Sequence, residues 1–157
     1  MLTDKKIVNR TEIGKRVQIA RRHGQRIVFT NGCFDLLHAG HIDLLEQAKS
    51  FGDVLIVALN TDASVRRIKG AQRPIVSEND RARLIAALQA VDWVTFFDEE
   101  TPAGILREIQ PDVLVKGGDY RKEEIVGFDI VPEVKVIPLV PGQSTSEIIE
   151  KIRRISI

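Results

Sequence analysis

The chain has 157 residues, of which 43% are hydrophobic and 29% are charged, and its formal net charge is +1. This length predicts one domain over residues 1–157, and the balanced charge argues against nucleic acid as a partner. The single cysteine, the lack of an apolar run near the ~20 residues of a membrane span and the lack of a signal peptide after Met1 indicate a cytoplasmic protein without a membrane partner.

Strands and helices are predicted to alternate along the chain. A lead-in over residues 1–24 holds one helix, with Thr11 as its N-cap and His23-Gly24 at its end. Short apolar runs predict strands at 26–29, 53–59, 92–97, 111–115 and 134–137. Apolar residues at helical spacing predict helices from His41 to about Ser50, from Ser77 through Val91, after Thr101-Pro102, and after Gln143-Ser144.

The segment between the second strand and Ser77 is basic and has no apolar period. It contains Arg66, Arg67, Lys69 and Arg73, and it is predicted to be a loop. Strands that alternate with helices at this spacing predict an α/β fold. We expect a Rossmann-like three-layer sandwich around a mainly parallel sheet of five to six strands.

Polar residues cluster directly after three of the predicted strands. These clusters are residues 30–41, 60–62 and 116–120, and residues 144–146 open the last helix in a similar way. In open parallel sheets, ligands bind at the carboxyl ends of the strands, near the point where the strand order reverses. The sequence therefore predicts one site at this edge of the sheet.

Two histidines, His38 and His41, open the helix that follows the first strand. Because residues at i and i+3 share one helix face, both imidazoles can point at one spot near the N-terminus, where free N–H groups favour a phosphate. Gly32 permits a tight turn after the strand, and Gly40 leaves room for a ligand. The alternatives are surface or capping histidines and a zinc site, although no third histidine lies close by in sequence.

Residues 32–41 resemble the signature of the cytidylyltransferase-like nucleotidyltransferases, whose fold is shared with class I aminoacyl-tRNA synthetases. The hydroxyl-bearing residues 144–146 match the start of the last helix in that family. Further segments are similar to one branch, the D-glycero-β-D-manno-heptose 1-phosphate adenylyltransferases: 30–35, 69–70, 73–74, 90–93 and 114–120. That branch also occurs as the C-terminal half of a bifunctional kinase and adenylyltransferase. The resemblance covers about residues 25–153 and implies a stand-alone enzyme.

The sequence departs from the family pattern at its last motif. That motif is usually Ser-Thr-Thr and often follows a cysteine, whereas Gln143 precedes Ser144-Thr145-Ser146 here. Serine keeps a hydroxyl at the third position, so phosphate bonding is retained in principle. Glycerol-3-phosphate cytidylyltransferases carry an arginine a few residues earlier, and residues 139–142 contain none, which disfavours cytidylyl transfer.

The resemblance implies that ATP and a sugar 1-phosphate react to give an ADP-sugar and pyrophosphate. It implies His38, His41 and Lys69 as catalytic residues, with both histidines donating hydrogen bonds to the α-phosphate. The residues implied to bind the nucleotide are Asn31, Gly32, Cys33, Phe34, Gly40, His41, Asn60, Arg81, Lys116, Gly117, Asp119, Ser144, Thr145 and Ser146. Of these, Arg81 is expected to face the β- and γ-phosphates, and Lys116 and Asp119 to lie beside the adenine and ribose.

Magnesium is expected to travel with ATP, without a dedicated set of protein ligands, because Mg²⁺ keeps most of its waters. Family precedent implies a homodimer or a larger homo-oligomer. Two other functions stay open on the sequence alone. One is a cytidylyltransferase for glycerol 3-phosphate or another small phosphate ester, and the other is a nucleotide-binding regulator without activity.

Overall fold

The protein is described by a computed structural model that covers residues 1–142 and 144–155. Gln143, Ser156 and Ile157 lie outside the described residues, and so does the prediction made for Gln143. The strands are β1 (Ile27–Gly32), β2 (Val54–Asn60), β3 (Trp93–Phe97), β4 (Val113–Gly117) and β5 (Glu133–Ile137). The helices are α1 (Arg10–Arg22), α2 (Ala39–Lys49), α3 (Asp62–Lys69), α4 (Glu78–Ala86), α5 (Ala103–Ile109) and α6 (Thr145–Ile155), with a short 3-10 helix at Lys122–Glu124. Within the described ranges, no helix is both long and apolar enough to cross a bilayer.

The strands form a parallel sheet in the order β3-β2-β1-β4-β5. The chain moves outward from β1 to β3 and then returns to the other side of β1, so the strand order reverses between β1 and β4. Thr30 of β1 is in register with Val57 on one side and with Val115 on the other. The predicted α/β fold with a parallel sheet of five to six strands is confirmed, with five strands in the described residues.

Helices cover both faces of the sheet. Successive side chains of a strand point to opposite faces, so each strand packs against helices on both sides. In β1, Ile27 and Phe29 belong to a core that includes residues of α1 and α5. Val28, between them, belongs to a second core that includes residues of α2 and α4. These two cores give the predicted three-layer sandwich.

The basic segment that follows β2 is partly helical, and the loop prediction is wrong for residues 62–69. The hydroxyl of Thr61 accepts a hydrogen bond from the backbone N–H of Ser64 at 3.1 Å and caps α3. Only Ser64 and Val65 of this helix are buried, so the apolar stripe is too short to show a period. Lys69 is consequently the last residue of a helix, at the edge of the clefts described below.

Two helix boundaries also differ from the prediction. Asn9, not Thr11, caps α1, since its side-chain oxygen accepts from the backbone N–H of Glu12 at 2.8 Å. Ser77 caps α4 as predicted, but the helix ends at Ala86 and does not continue through Val91. These are shifts of helix ends, and the order of the elements is unaffected.

Candidate active site

Three strand ends meet at one edge of the sheet and enclose adjoining clefts. β1 ends in Asn31-Gly32, β2 ends in Asn60 and β4 ends in Lys116-Gly117. Because the strands are parallel and adjacent, these residues lie side by side at the reversal of strand order. The structure thus brings together residues from the clusters predicted at 30–41, 60–62 and 116–120.

Three clefts lie at this edge, called the large cleft, the small cleft and the basic cleft. The large cleft, of about 430 Å³, is lined by Asn31, Asn60 and Lys116 and by parts of the segments 100–102 and 120–126. The small cleft, of about 180 Å³, is lined by Phe34, His41, Arg73, Lys116, Gly117 and Thr145 together with others. The basic cleft is lined by Lys69, Arg73, Ser146 and Arg153 together with others. Lys69 lines all three clefts, so it lies where they adjoin.

His38 and His41 lie at the start of α2 with their rings stacked. His38 is the N-cap residue, and the two ring centroids are 3.8 Å apart. The backbone N–H of His38 donates to Nδ1 of His41 at 3.4 Å, so a neutral His41 carries its proton on Nε2. His41 lines the small cleft, whereas Nδ1 of His38 is buried without a hydrogen-bond partner in the described part of the chain. The two histidine rings lie together, as their i,i+3 spacing predicts, and the His41 ring lies at the small cleft.

Both imidazoles are neutral at pH 7. Burial lowers the pKa of His41 to about 4, and the neighbouring His38 ring adds to the shift. Burial also lowers the pKa of His38, although the carboxylate of Glu147 opposes this change. His41 therefore presents a neutral N–H donor to the small cleft, whose strength as a donor grows as charge develops on a bound phosphate.

Acid is expected to destabilise the fold in part through His41. The unfolded chain takes up a proton near pH 6.5, whereas the folded chain takes it up only near pH 4. Since the unfolded state binds more protons in this window, the free energy of unfolding falls as the pH drops from about 6.5 to 4. We expect His41 to account for roughly 1–2 kcal/mol of this loss after allowance for solvent screening.

Denaturant unfolding at pH 7 and pH 4.5 measures this contribution. The variant His41→Gln should lose less stability between the two pH values than the parent protein. His23→Gln is the matched control, because His23 is exposed at the end of α1. Equal acid losses in the parent and His41→Gln would contradict the assignment.

Two lysines without acidic partners lie where the large and small clefts adjoin. Lys69 and Lys116 line both clefts, and neither ammonium group has a hydrogen-bond or ion-pair partner among the described residues. Burial lowers the pKa of Lys116, Cys33 opposes the shift, and the nearby Lys69 ammonium adds to it. Two adjacent unpaired cations attract an anion, so this boundary fits a phosphate group.

Asp35 fixes the loop after β1 to the segment that follows α3. Its buried carboxylate accepts from Arg73 Nε at 2.6 Å and from the backbone N–H groups of Ile75 and Val76 at 2.9 Å. Burial alone would raise the pKa of Asp35, but the hydrogen bonds from Val76, Ile75 and Arg73 outweigh it and lower the pKa. Asp35 therefore stays ionised and orients Arg73, which lines the small and basic clefts.

Arg81 is fully buried, and its guanidinium is occupied by the protein itself. Nη1 donates to the carbonyl of Cys33 at 2.5 Å, and Nη2 donates to the carbonyl of Asn60 at 2.9 Å and to Asp62 Oδ1 at 2.8 Å. Nε donates to the carbonyl of Val76 at 3.0 Å. In place of the contact expected with the β- and γ-phosphates, Arg81 joins the ends of β1 and β2 from behind the clefts.

The backbone turns sharply at Gly32 and Phe34. Phe34 has a φ of 47°, in the left-handed region that non-glycine residues rarely adopt, and this strained turn aims its ring back across Gly32. A Cβ on Gly32 would lie 3.0 Å from that ring, so a larger residue there would require the ring to shift. The Phe34 and His41 ring centroids are 5.0 Å apart, so the turn also supports the face of the imidazole.

The hydroxyl-bearing residues before and within α6 have separate places. The Ser144 hydroxyl accepts from the backbone N–H of Glu147 at 3.1 Å, as an N-cap does. Thr145 lines the small cleft and donates to the carbonyl of Leu36 at 3.3 Å. Ser146 lines the basic cleft. Two of the three predicted hydroxyls therefore lie at the clefts, and the third caps the helix.

Some predicted site residues lie away from the three clefts. Gly40 lines a separate small pocket beside Leu139, and Asp119 is exposed outside the clefts. Among the described residues, no group of three or more His, Cys, Asp or Glu side chains is arranged to hold a metal ion. The clefts are lined mainly by lysine, arginine, histidine, amide and hydroxyl groups, with the carboxylates of Glu100 and Glu124 in the large cleft.

Sequence reasoning missed several residues that line the clefts. They are Arg73, Glu100 and Glu124. Glu100 could have been found, because residues 98–101 follow β3 as the predicted clusters follow β1, β2 and β4. Glu124 had no such signal, since its segment reaches the cleft only through the fold. Tyr120, which also lines the large cleft, belongs to the predicted cluster 116–120.

The family profile described as cytidylyltransferase-like matches residues 29–151, which contain all of the strand ends and every cleft residue named above except Arg153. The chain belongs to the cytidylyltransferase-like family. This match confirms the resemblance carried by residues 32–41 and 144–146.

Curated relatives extend this family assignment. The Bifunctional protein HldE of Wolinella succinogenes is 55% identical over 151 residues, which are 96% of this chain and 32% of the relative. The Bifunctional protein HldE of Ectopseudomonas mendocina is 57% identical over 141 residues, 87% of this chain and 30% of the relative. This member of the cytidylyltransferase-like family thus spans about a third of the length of the curated relatives it matches.

Two solved structures share the fold. The lipopolysaccharide core biosynthesis protein from Thermoplasma volcanium is 32% identical, with a TM-score of 0.60 over 74% of this chain and 98% of that one. The pantoate-beta-alanine ligase from Francisella tularensis is 19% identical, with a TM-score of 0.63 over 95% of this chain and 78% of that one. The second likeness shows only that the cytidylyltransferase-like fold recurs in an enzyme of different sequence.

Proposed function

We propose that the protein transfers AMP from ATP to D-glycero-β-D-manno-heptose 1-phosphate, which releases pyrophosphate and forms ADP-heptose. One observation carries this proposal: a neutral His41 N–H donor and the unpaired ammonium groups of Lys69 and Lys116 line one phosphate-sized cleft at the strand-order reversal. The family membership and the high identity to bifunctional HldE proteins support the same reaction. The likeness to the lipopolysaccharide core biosynthesis protein from Thermoplasma volcanium supports the sugar acceptor.

The chemistry is a single in-line displacement. A phosphate oxygen of the acceptor forms a bond to the α-phosphorus of ATP, and the bond from that phosphorus to the bridging α,β-oxygen breaks. The electron pair of the broken bond leaves with pyrophosphate. Since the attacking oxygen is already anionic, no side chain has to remove a proton, and catalysis depends on positioning and charge stabilisation.

Each cleft residue has a role in this displacement. His41 Nε2 donates a hydrogen bond to an α-phosphate oxygen, an interaction that strengthens as this oxygen gains charge. Lys69 and Lys116 neutralise the two phosphates that approach each other at the boundary of the clefts. His38 positions His41 through the backbone hydrogen bond to Nδ1 and through ring stacking.

The metal and the assembly belong to the same proposal. Mg²⁺ would arrive with ATP and screen the triphosphate charge, and no step here is assigned to a protein-held metal. The exposed apolar side chains of α6, Ile152 and Ile155, support association into a homo-oligomer. A reducing compartment such as the cytoplasm suits the single unpaired Cys33.

Pyrophosphate release by the purified protein tests the proposal. The protein is incubated with ATP or CTP and with heptose 1-phosphate or glycerol 3-phosphate, in all four pairings. We expect release with ATP and heptose 1-phosphate. Release only with CTP would identify a cytidylyltransferase, and nucleotide binding without release in any pairing would identify a regulator.

A further inference from the structure

The large cleft is lined by two carboxylates that have no hydrogen-bond or ion-pair partner among the described residues. Glu100 follows β3, and Glu124 ends the 3-10 helix at Lys122–Glu124. Neither side chain makes a hydrogen bond or an ion pair with a described residue. By contrast, the neighbouring Glu99 pairs with Arg10 at 2.7 Å. Two unpaired carboxylates repel a polyphosphate, so this cleft suits a different ligand from ATP.

Part of the wall of the large cleft is apolar. Ile68, Pro102, Ile125 and Val126 line it, and Tyr120 adds an aromatic ring. A sugar presents C–H groups on its ring faces and hydroxyl groups at its edges. The apolar wall can pack against the C–H groups, and carboxylates can accept hydrogen bonds from the hydroxyls. A volume of about 430 Å³ is sufficient for a sugar phosphate.

The position of the large cleft also fits the in-line displacement. It shares Lys69 and Lys116 with the small cleft, so an acceptor phosphate held by these lysines lies next to the α-phosphate. The small cleft shares Lys69 and Arg73 with the basic cleft, which suits the departing pyrophosphate. The large cleft therefore suits the acceptor, the small cleft suits the α-phosphate, and the basic cleft suits the leaving group.

We propose that the large cleft is the acceptor subsite, and that Glu124 and Glu100 select a sugar whose only anionic group is its phosphate. The two carboxylates accept hydrogen bonds from sugar hydroxyls and repel acceptors that carry a second anionic group. This inference rests on the proposed function, because it assigns the acceptor of that reaction to one cleft.

The variant Glu124→Gln tests the inference, with Glu123→Gln as the matched control from the same 3-10 helix. The KM for heptose 1-phosphate is measured at saturating ATP, and the KM for ATP at saturating heptose 1-phosphate. We expect Glu124→Gln to raise the acceptor KM about 10-fold, as for one charge-assisted hydrogen bond, and to leave the ATP KM within about 2-fold. Glu123→Gln should match the parent protein in both constants.

A second acceptor separates charge selection from a general loss of packing. A sugar 1,6-bisphosphate carries an additional anionic group, and Glu124→Gln should use it better relative to heptose 1-phosphate than the parent does. An increase confined to the ATP KM would overturn the inference and leave the proposed function intact. Parent-like constants in Glu124→Gln would also overturn it. If the unmutated protein turns over no acceptor, the proposed function itself fails, and the inference fails with it.

Discussion

The variant His41→Ala is expected to lower kcat by about 10²- to 10³-fold, with little change in the KM for ATP. The imidazole Nε2–H donates to an oxygen whose negative charge grows in the transition state, so its loss affects that state more than the ground state. This effect corresponds to about 3–4 kcal/mol of lost transition-state stabilisation. Steady-state rates of pyrophosphate release at saturating substrates measure it.

The control for this experiment is His23→Ala, which removes an exposed imidazole from the end of α1. It should match the parent protein in kcat. His41→Gln should retain part of the activity, because its side-chain amide can still donate a hydrogen bond. A His41→Ala protein that melts like the parent and turns over within about 3-fold of it would exclude His41 from the reaction.

The variant Arg81→Leu is expected to lose about 3 kcal/mol of stability. It leaves the carbonyls of Cys33 and Asn60 without their donor, and it removes the partner of the Asp62 carboxylate. It should also lower kcat, because the loop that carries the site loses its attachment to β2. Equilibrium unfolding in urea measures the first effect, and pyrophosphate release measures the second.

Arg83→Leu is the matched control, since Arg83 is exposed on the same helix and its side chain makes no hydrogen bond to a described residue. Its stability should stay within about 0.5 kcal/mol of the parent value. If Arg81→Leu does not fold, Arg81→Lys gives the answer, because lysine keeps the charge but reaches fewer of the four acceptors. Parent-like stability in either Arg81 variant would show that this network is dispensable.

The sheet could be predicted from the sequence because its central strands are buried on both faces. Residues 54–59 form an uninterrupted apolar run, and such runs alternate with helical patterns along the whole chain. Helix α3 could not be predicted in the same way. Its stability comes from the Thr61 cap and from burial of one turn against β2, and neither produces an apolar period.

The parts of the site that depend on distant contacts were harder to predict. In sequence, Arg81 is one of several charged residues near a helix start, and a phosphate contact was a reasonable expectation. Its burial depends on carbonyls of Cys33 and Asn60, which are 48 and 21 residues away along the chain. By contrast, the contact between the His38 and His41 rings is local to one turn of helix, so their spacing was sufficient to predict that the two rings lie together.

The loop after β1 is anchored from two directions. Asp35 ties it to residues 73–76, and Arg81 ties it to the end of β2. The conformational entropy of this loop is therefore lost when the chain folds, before any substrate arrives. Substrate binding therefore loses little further entropy in ordering the residues around His41. More of the binding free energy is then available to bring the acceptor and the α-phosphate into reacting distance.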